Sequence, residues 1–231
     1  MTDPDVRDAI MKATYEAVCE YGYTDLTAQD IADRTDKSKS LLFYHYDSKE
    51  DLVADFVDYL VEWFGDRFEE TEELPPTQRL ATFVDWFLYG STDADERQSI
   101  HTAMLEIRTQ APHNEQYREQ LRRSDDLLRE ILEEILRDGI EAGEFEDHDP
   151  EETAALLIAT LDGARIRQLT LERDDYVEQV RSAIVSRIFA DILADGVSFP
   201  ADSPAVDELD RSANTSISDA IDDPSDEASR Q

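Results

Sequence analysis

Thr27-Ala28-Gln29-Asp30-Ile31-Ala32, then Ser38-Lys39-Ser40-Leu41-Leu42-Phe43-Tyr44-His45-Tyr46, then Ser48-Lys49-Glu50-Asp51-Leu52: these three neighbouring segments decide the fold. Thr27 to Asp30 has the form of a capping box, with a hydroxyl at the cap and a carboxylate three residues on to reach back. The helix it opens is short, to about Thr35, with Ile31 and Ala32 to pack inward. Asp36-Lys37 can turn the chain. Ser38 opens a second short helix whose inner face is Leu42 and Tyr46, four apart. Ser48 to Asp51 is another capping signal. The pattern is helix, tight turn, helix, the geometry that sets a second helix into the DNA major groove.

The distribution of positive charge points the same way. The chain has 231 residues and a formal net charge of −34. Its four lysines, Lys12, Lys37, Lys39 and Lys49, all lie in the first 49 residues. Over residues 34–49, Arg34 and three lysines stand against Asp36 and Asp47, a local excess of positive charge. Small and polar Ser38, Lys39 and Ser40 at the second helix start let backbone approach phosphate. Lys39, Leu41, Tyr44 and His45 form its outer side, and Lys49 sits at the next helix start, where free N–H groups favour phosphate.

Working outward, nearly everything reads as helix. Val6, Ile10, Ala13, Ala17 and Tyr21 share one face of a first helix, stopped by Gly22. Leu52, Phe56, Tyr59, Leu60, Trp63 and Phe64 line a longer helix after Ser48. An acidic segment ending in Pro75-Pro76 reads as a linker between a small N-terminal unit and a larger helical one. Helices are expected over 77–89 (Leu80, Phe83, Val84, Phe87 and Leu88 inward), 94–111 and 115–140. Asp149-Pro150-Glu151-Glu152 is a strong start for a helix to about Glu172, with a cap, a first-turn proline and acids at the positive dipole end. A last helix runs from Asp175 to Ala194. From 197 on the acidic, Ser- and Pro-rich sequence reads as disordered tail. The expected fold is all-α: a helix-turn-helix domain over 1–50, a connecting helix over about 49–69, a larger domain over 70–196, and the tail.

Composition bounds the function. No apolar run approaches the roughly 20 residues a membrane-spanning helix needs, and the acidic N-terminus lacks a secretory signal, so a cytoplasmic location is expected. Cys19 is the sole cysteine, which excludes an internal disulfide. His101, His113 and His148 have no ligand-like spacing, so neither metal nor cofactor is expected. No nucleophile triad, phosphate loop or dinucleotide fingerprint appears, which argues against an enzyme. The acidity resembles that of proteins from a salt-rich cytoplasm, where a Debye length of roughly 3 Å at molar salt screens self-repulsion; an acidic protein of ordinary habitat is the alternative.

The three segments quoted at the outset resemble the N-terminal signature of the TetR/AcrR family, approximately T-x-x-x-I-A, a turn, S-x-x-x-L-Y-x-H-F, then S-K-E-x-L. The likeness covers about residues 6–60, and Asp138 to Phe145 with Leu161-Asp162-Gly163 resembles C-terminal domains common in that family. Two departures stand out. Asp36-Lys37 replaces the usual Gly-Val, and Phe43 replaces the tyrosine whose hydroxyl usually meets the DNA backbone. The resemblance implies a transcriptional regulator, a repressor in sign, that binds a palindromic double-stranded operator as a homodimer and is released by a small effector. Thr27, Lys37, Ser38, Lys39, Ser40, Tyr44, His45 and Lys49 would face DNA. Apolar Leu156, Leu157, Leu161, Ile184, Ile188 and Ile192 on the last two helices would pair with a second copy. Trp63, Phe83, Trp86, Phe87, Met104, Ile107 and Tyr117 would line the effector pocket, with Arg108 and Arg165 (or Arg167) toward an anionic group; ordinary core and surface ion pairs are the competing reading. A protein that keeps this fold but senses or docks without reading an operator is the alternative function, and an activator with the same site is a third.

Overall fold

The computed structural model describes residues 4–35, 39–90, 94–173 and 175–200, with the side chains of 4, 5, 39, 40 and 94–96 outside that set. The described chain is helical: α1 (Pro4–Asp25), α2 (Ala28–Ala32), α3 (Lys39–His45), α4 (Lys49–Glu69), α5 (Pro76–Tyr89), α6 (Ala94–Gln110), α7 (Glu115–Ala142), α8 (Pro150–Leu171) and α9 (Tyr176–Ala183), which passes into a π-helical segment, Ile184–Phe189, and a last turn, α10 (Ala190–Ile192). Extended pairing among the described residues is limited to one antiparallel bridge, Phe145 with Leu193.

Local signals placed most starts and stops. Gly22, at φ 68°, ψ 174°, kinks the end of α1 where a side chain would be strained. The Ser48 hydroxyl accepts from the Asp51 N–H at 3.1 Å at the start of α4. Asp149 accepts from the Glu151 and Glu152 N–H groups at 2.9 and 3.1 Å, capping α8 before its first-turn proline. The final helix differs from expectation: its middle winds wider, into π geometry, and it stops at Ile192.

Two compact units form, and they do not divide at the expected linker. Among described residues the first holds 4–60 and 94–121, and the second holds 61–90 and 122–200. The acidic segment ending in Pro75-Pro76 marks only the start of α5; the boundaries fall inside α4, between α5 and α6, and inside α7. In the first unit α6 packs along α1. This explains why α1 buries Met11, Thr14, Tyr15 and Val18 as well as the expected Ile10, Ala13 and Ala17. One apolar stripe serves one neighbour, and a helix covered on two sides needs a wider buried arc.

The second unit is built around α5, buried almost all round from Arg79 to Leu88. Its core joins Phe68, Leu80, Phe83, Val84 and Phe87 to Leu132, Ile135 and Leu136 of α7 and to Ala154, Leu157, Ile158 and Leu161 of α8. Two buried charges on α5 are paired. Arg79 donates to Asp138 and Glu134 at 2.6 and 3.2 Å, and Asp85 accepts from Arg181 at 2.5 and 2.9 Å. Residues 144–146 clamp the chain end: the Glu146 N–H donates to Ile192 and the Ala194 N–H to Glu144. Beyond it Phe199 stacks on Phe189 at 4.4 Å, so the expected tail is held in place at least to that residue; 201–231 lie outside the described residues.

Gly139 permits this clamp. A Cβ there would lie 2.0 Å from Cδ2 of Phe145, whose ring is buried. Gly139→Ala is expected to lower unfolding free energy by about 1–3 kcal/mol through overpacking, read as a lower urea midpoint at fixed salt. An unchanged midpoint would show that the ring swings away freely.

Of the apolar residues expected to meet a second copy, Leu157, Leu161, Ile184 and Ile192 are buried within their own chain, and Ile188 is half-buried. Leu156 alone of the six is exposed, at 53%. Apolar content showed that these helices bury a face, but not that the α5–α7 core takes most of it.

Candidate nucleic-acid interface

The capping box is complete. The Asp30 N–H donates to the Thr27 hydroxyl at 3.3 Å, and the Thr27 N–H and hydroxyl donate to the Asp30 carboxylate at 2.8 and 2.5 Å. The Thr27 hydroxyl, and then its backbone N–H, hold the Asp30 carboxyl below its ordinary pKa. Ile31 and Ala32 fasten α2 to the core. Lys37 and Ser38 lie outside the described residues; Lys39 and Ser40 are described as the first backbone turn of α3 only. On α3, Leu42 and Tyr46 point inward as expected, and Leu41 and His45 are half-buried. Tyr44 stands 82% exposed with its ring edge-on to His45. Phe43 is 50% exposed, a second large aromatic on the outer face of the short helix; the family pattern had drawn attention only to its missing hydroxyl.

Two of the four basic residues counted between 34 and 49 are engaged inside the chain. Arg34 reaches back to Glu20 and to the Asp30 carbonyl, with its guanidinium 4.9 Å from the Tyr21 ring centre. Lys49 donates to the carbonyls of Tyr23 and Leu26, both at 3.0 Å, and lies over the Tyr23 ring. The position of Lys49 at a helix start suggested a phosphate contact; its ammonium instead holds the loop between α1 and α2.

The same loop is gripped from its other side. The Glu106 carboxylate of α6 accepts from the N–H groups of Tyr23 and Thr24 at 2.8 and 3.1 Å, just past the Gly22 kink. The Tyr23 and Tyr117 hydroxyls meet at 3.1 Å in the interior, where burial raises the Tyr117 pKa well above its ordinary value. Carboxylate on the donors and ammonium on the acceptors fix the entry into α2. Farther along, the Tyr46 hydroxyl donates to Asp55 of α4 at 2.5 Å, and Arg7 of α1 donates to the same carboxylate at 2.8 and 3.1 Å.

The residues grouped from sequence as an effector pocket fall in both units. Trp63, Phe83, Trp86, Phe87 and Arg165 belong to the second unit; Met104, Ile107, Arg108 and Tyr117 belong to the first. Ile107 is core of the first unit, Arg108 is exposed, and Tyr117 is the hydrogen-bond partner of Tyr23. In the second unit Trp63 packs on Trp86 at 5.4 Å between ring centres, and Phe64 stacks on Trp86 at 4.8 Å. The Arg165 guanidinium lies 4.0 Å from the Phe87 ring centre and donates to the Phe87 carbonyl. Arg167 sits near the Tyr176 ring. Among the described residues no cluster of His, Cys, Asp and Glu is placed to hold a metal, and no helix is long and apolar enough to cross a membrane.

Comparison with known proteins covers both units. Residues 10–56 match the family described as bacterial regulatory proteins, tetR family, and residues 76–194 match BetI-type transcriptional repressors, C-terminal. A TetR transcription regulator from Haloarcula marismortui is 36% identical, with a TM-score of 0.74 over 82% of this chain and 100% of that one. A TetR-family regulator from Rhodococcus sp. is 25% identical, with a TM-score of 0.66 over 79% of this chain and 97% of that one. A regulator from Saccharomonospora viridis, solved in complex with choline, shares the fold at 24% identity, with a TM-score of 0.70 over 83% and 99%. No curated protein matches the chain in sequence.

Proposed function

Because this chain belongs to the tetR family of transcriptional regulators, we propose that it acts as a homodimeric repressor that binds a palindromic operator through α3 and is released by a small effector. The observation that carries the reading is the capped α2 followed by α3, an exposed helix anchored through Leu42 and Tyr46. A helix so held can enter a major groove. Thr27, Lys37, Ser38, Lys39, Ser40, Tyr44 and His45 are the proposed DNA-facing set, with Lys49 supporting them from the loop it holds. The dimer would use exposed Leu156 and its neighbours on α8 together with the outer face of α9. The aromatic cluster of the second unit around Trp63, Trp86 and Phe87 is the proposed effector region, and choline, bound by the Saccharomonospora protein, is the first probe. A net charge of −34 supports function in concentrated salt, where self-repulsion is screened.

The test is a mobility-shift titration with DNA from the protein's own promoter region at high salt. Wild type should bind specifically, and Lys39→Ala should weaken binding about tenfold or more. Wild type binding no better than Lys39→Ala would sink the reading. The missing hydroxyl at Phe43 favours one other function, a sensor that keeps the fold without reading DNA; it predicts a stable dimer, an effector-induced thermal shift and no operator complex.

A further inference from the structure

The α3 helix has seven residues; Leu42 enters the core from it, and Tyr46, the residue just past its end whose N–H donates to the Leu42 carbonyl at 2.8 Å, enters the core a turn later. A helix held at two points on one face can rock about the deeper one. With a rise of 1.5 Å per residue, Tyr46 lies about 6 Å along the axis from Leu42 in one direction, and Lys39 about 4.5 Å in the other. Play of about 1 Å at Tyr46 therefore returns as about 0.75 Å at Lys39, by simple leverage. Hydrogen bonds to base edges tolerate only a few tenths of an ångström.

Packing of the buried Tyr46 ring holds it against the core without fixing its rotation about the helix end. Its hydroxyl limits this motion strongly: it donates to Asp55 Oδ2 at 2.5 Å. That carboxylate is itself pinned. Arg7 donates to Oδ1 through Nη2 at 2.8 Å and through Nε at 3.1 Å, and the guanidinium lies 5.7 Å from the Tyr59 ring centre. The brace thus joins α1, α4 and the residue just past α3, and its members are half-buried or buried. A phenylalanine at 46 would fill the same space.

We propose that Tyr46 and Asp55 are positioning residues for operator recognition, setting the pitch of α3 through the hydroxyl–carboxylate–guanidinium brace. The inference rests on the DNA-binding reading above and adds what tunes it. Loss of the brace costs discrimination between operator and other DNA, because base contacts need pitch and phosphate contacts do not.

The experiment measures fluorescence anisotropy on operator and on scrambled DNA, with urea unfolding alongside. Tyr46→Phe should stay folded with a modestly lower urea midpoint, as loss of one hydrogen bond to a carboxylate requires, bind operator about tenfold more weakly, and bind scrambled DNA as wild type does. Asp55→Asn should show the same loss of discrimination, and the double variant should be no worse than Tyr46→Phe alone. Tyr46→Phe binding operator like wild type, or losing affinity for both DNAs equally, overturns the inference while the regulator reading stands. Wild type that binds no operator overturns both.

Discussion

Operator affinity is expected to hold level or rise as salt goes from about 50 to 200 mM, where a protein with about 6–10 phosphate contacts loses about 10³–10⁵-fold. That ordinary loss comes from releasing counterions when lysines and arginines neutralise phosphates. Here the supply of such residues is small. Of the basic groups flanking α3, Arg34 is held by Glu20 and Asp30, and Lys49 by the carbonyls of Tyr23 and Leu26. Lys37 and Lys39 remain as the candidates for phosphate. Against them stands a formal charge of −34 on each copy. At about 0.01 M the Debye length is about 30 Å, so that charge repels DNA across the whole head, and at 1 M it is about 3 Å. Salt therefore removes more repulsion than attraction, and cations are taken up at the interface as the complex forms. Anisotropy titrations across the salt series, with circular dichroism confirming a folded protein at each point, decide the matter. A steep fall of ordinary slope would refute it.

Asp85→Ala is expected to destabilise the second unit by about 3–5 kcal/mol, the cost of leaving a buried charge without its partner. The Arg181 and Asp85 side chains are only 13% and 9% exposed, and the carboxylate takes both guanidinium bonds. Asp85 is the main cause of the raised pKa of Arg181; without it the guanidinium still stays charged, because arginine is intrinsically too basic to lose its proton. Concentrated salt does little to help, because buried pairs are screened far less than exposed ones. The double change Asp85→Leu with Arg181→Met should recover most of the loss, since an apolar pair of similar volume leaves no orphaned charge. The urea midpoint at fixed salt measures both. A loss below about 1 kcal/mol for Asp85→Ala would place the pair with ordinary surface ion pairs.

What the sequence made legible was local. The Thr27–Asp30 capping box, the Ser48 cap and the Asp149-Pro150 start each depend on residues within three positions, and each appears as expected. Leu42 and Tyr46 were identifiable as inward-facing from their spacing alone. What was not legible depends on distant partners. Lys49 and Arg34 looked like free cations because Tyr23, Leu26 and Glu20 lie 14 to 26 positions away. An apolar stripe records that a face is covered, not what covers it, so the burial of Ile107 and the bond of Tyr117 to Tyr23 were not legible either. The same gap assigned Leu157 and Ile184 to a second copy when their own core holds them. The π-helical turn at Ile184–Phe189 carries no sequence signal; backbone carbonyls there skip one residue farther than in an α-helix, with an ordinary mix of apolar and polar side chains.

The grip of Glu106 on the loop before α2 bears on how such a protein can be recombined. The reading head is assembled from two stretches of chain, 4–60 and 94–121, with thirty-odd residues of the other unit threaded between them. It is therefore not a detachable N-terminal cassette. A chimaera that grafts the first sixty residues of one relative onto the remainder of another inherits a foreign α6, and the match between that helix and the Tyr23–Thr24 amides becomes a matter of chance. Exchange of operator preference between relatives, in the laboratory or by gene conversion, has two workable routes: replace the outward residues of α3 alone, or carry α6 along with the head.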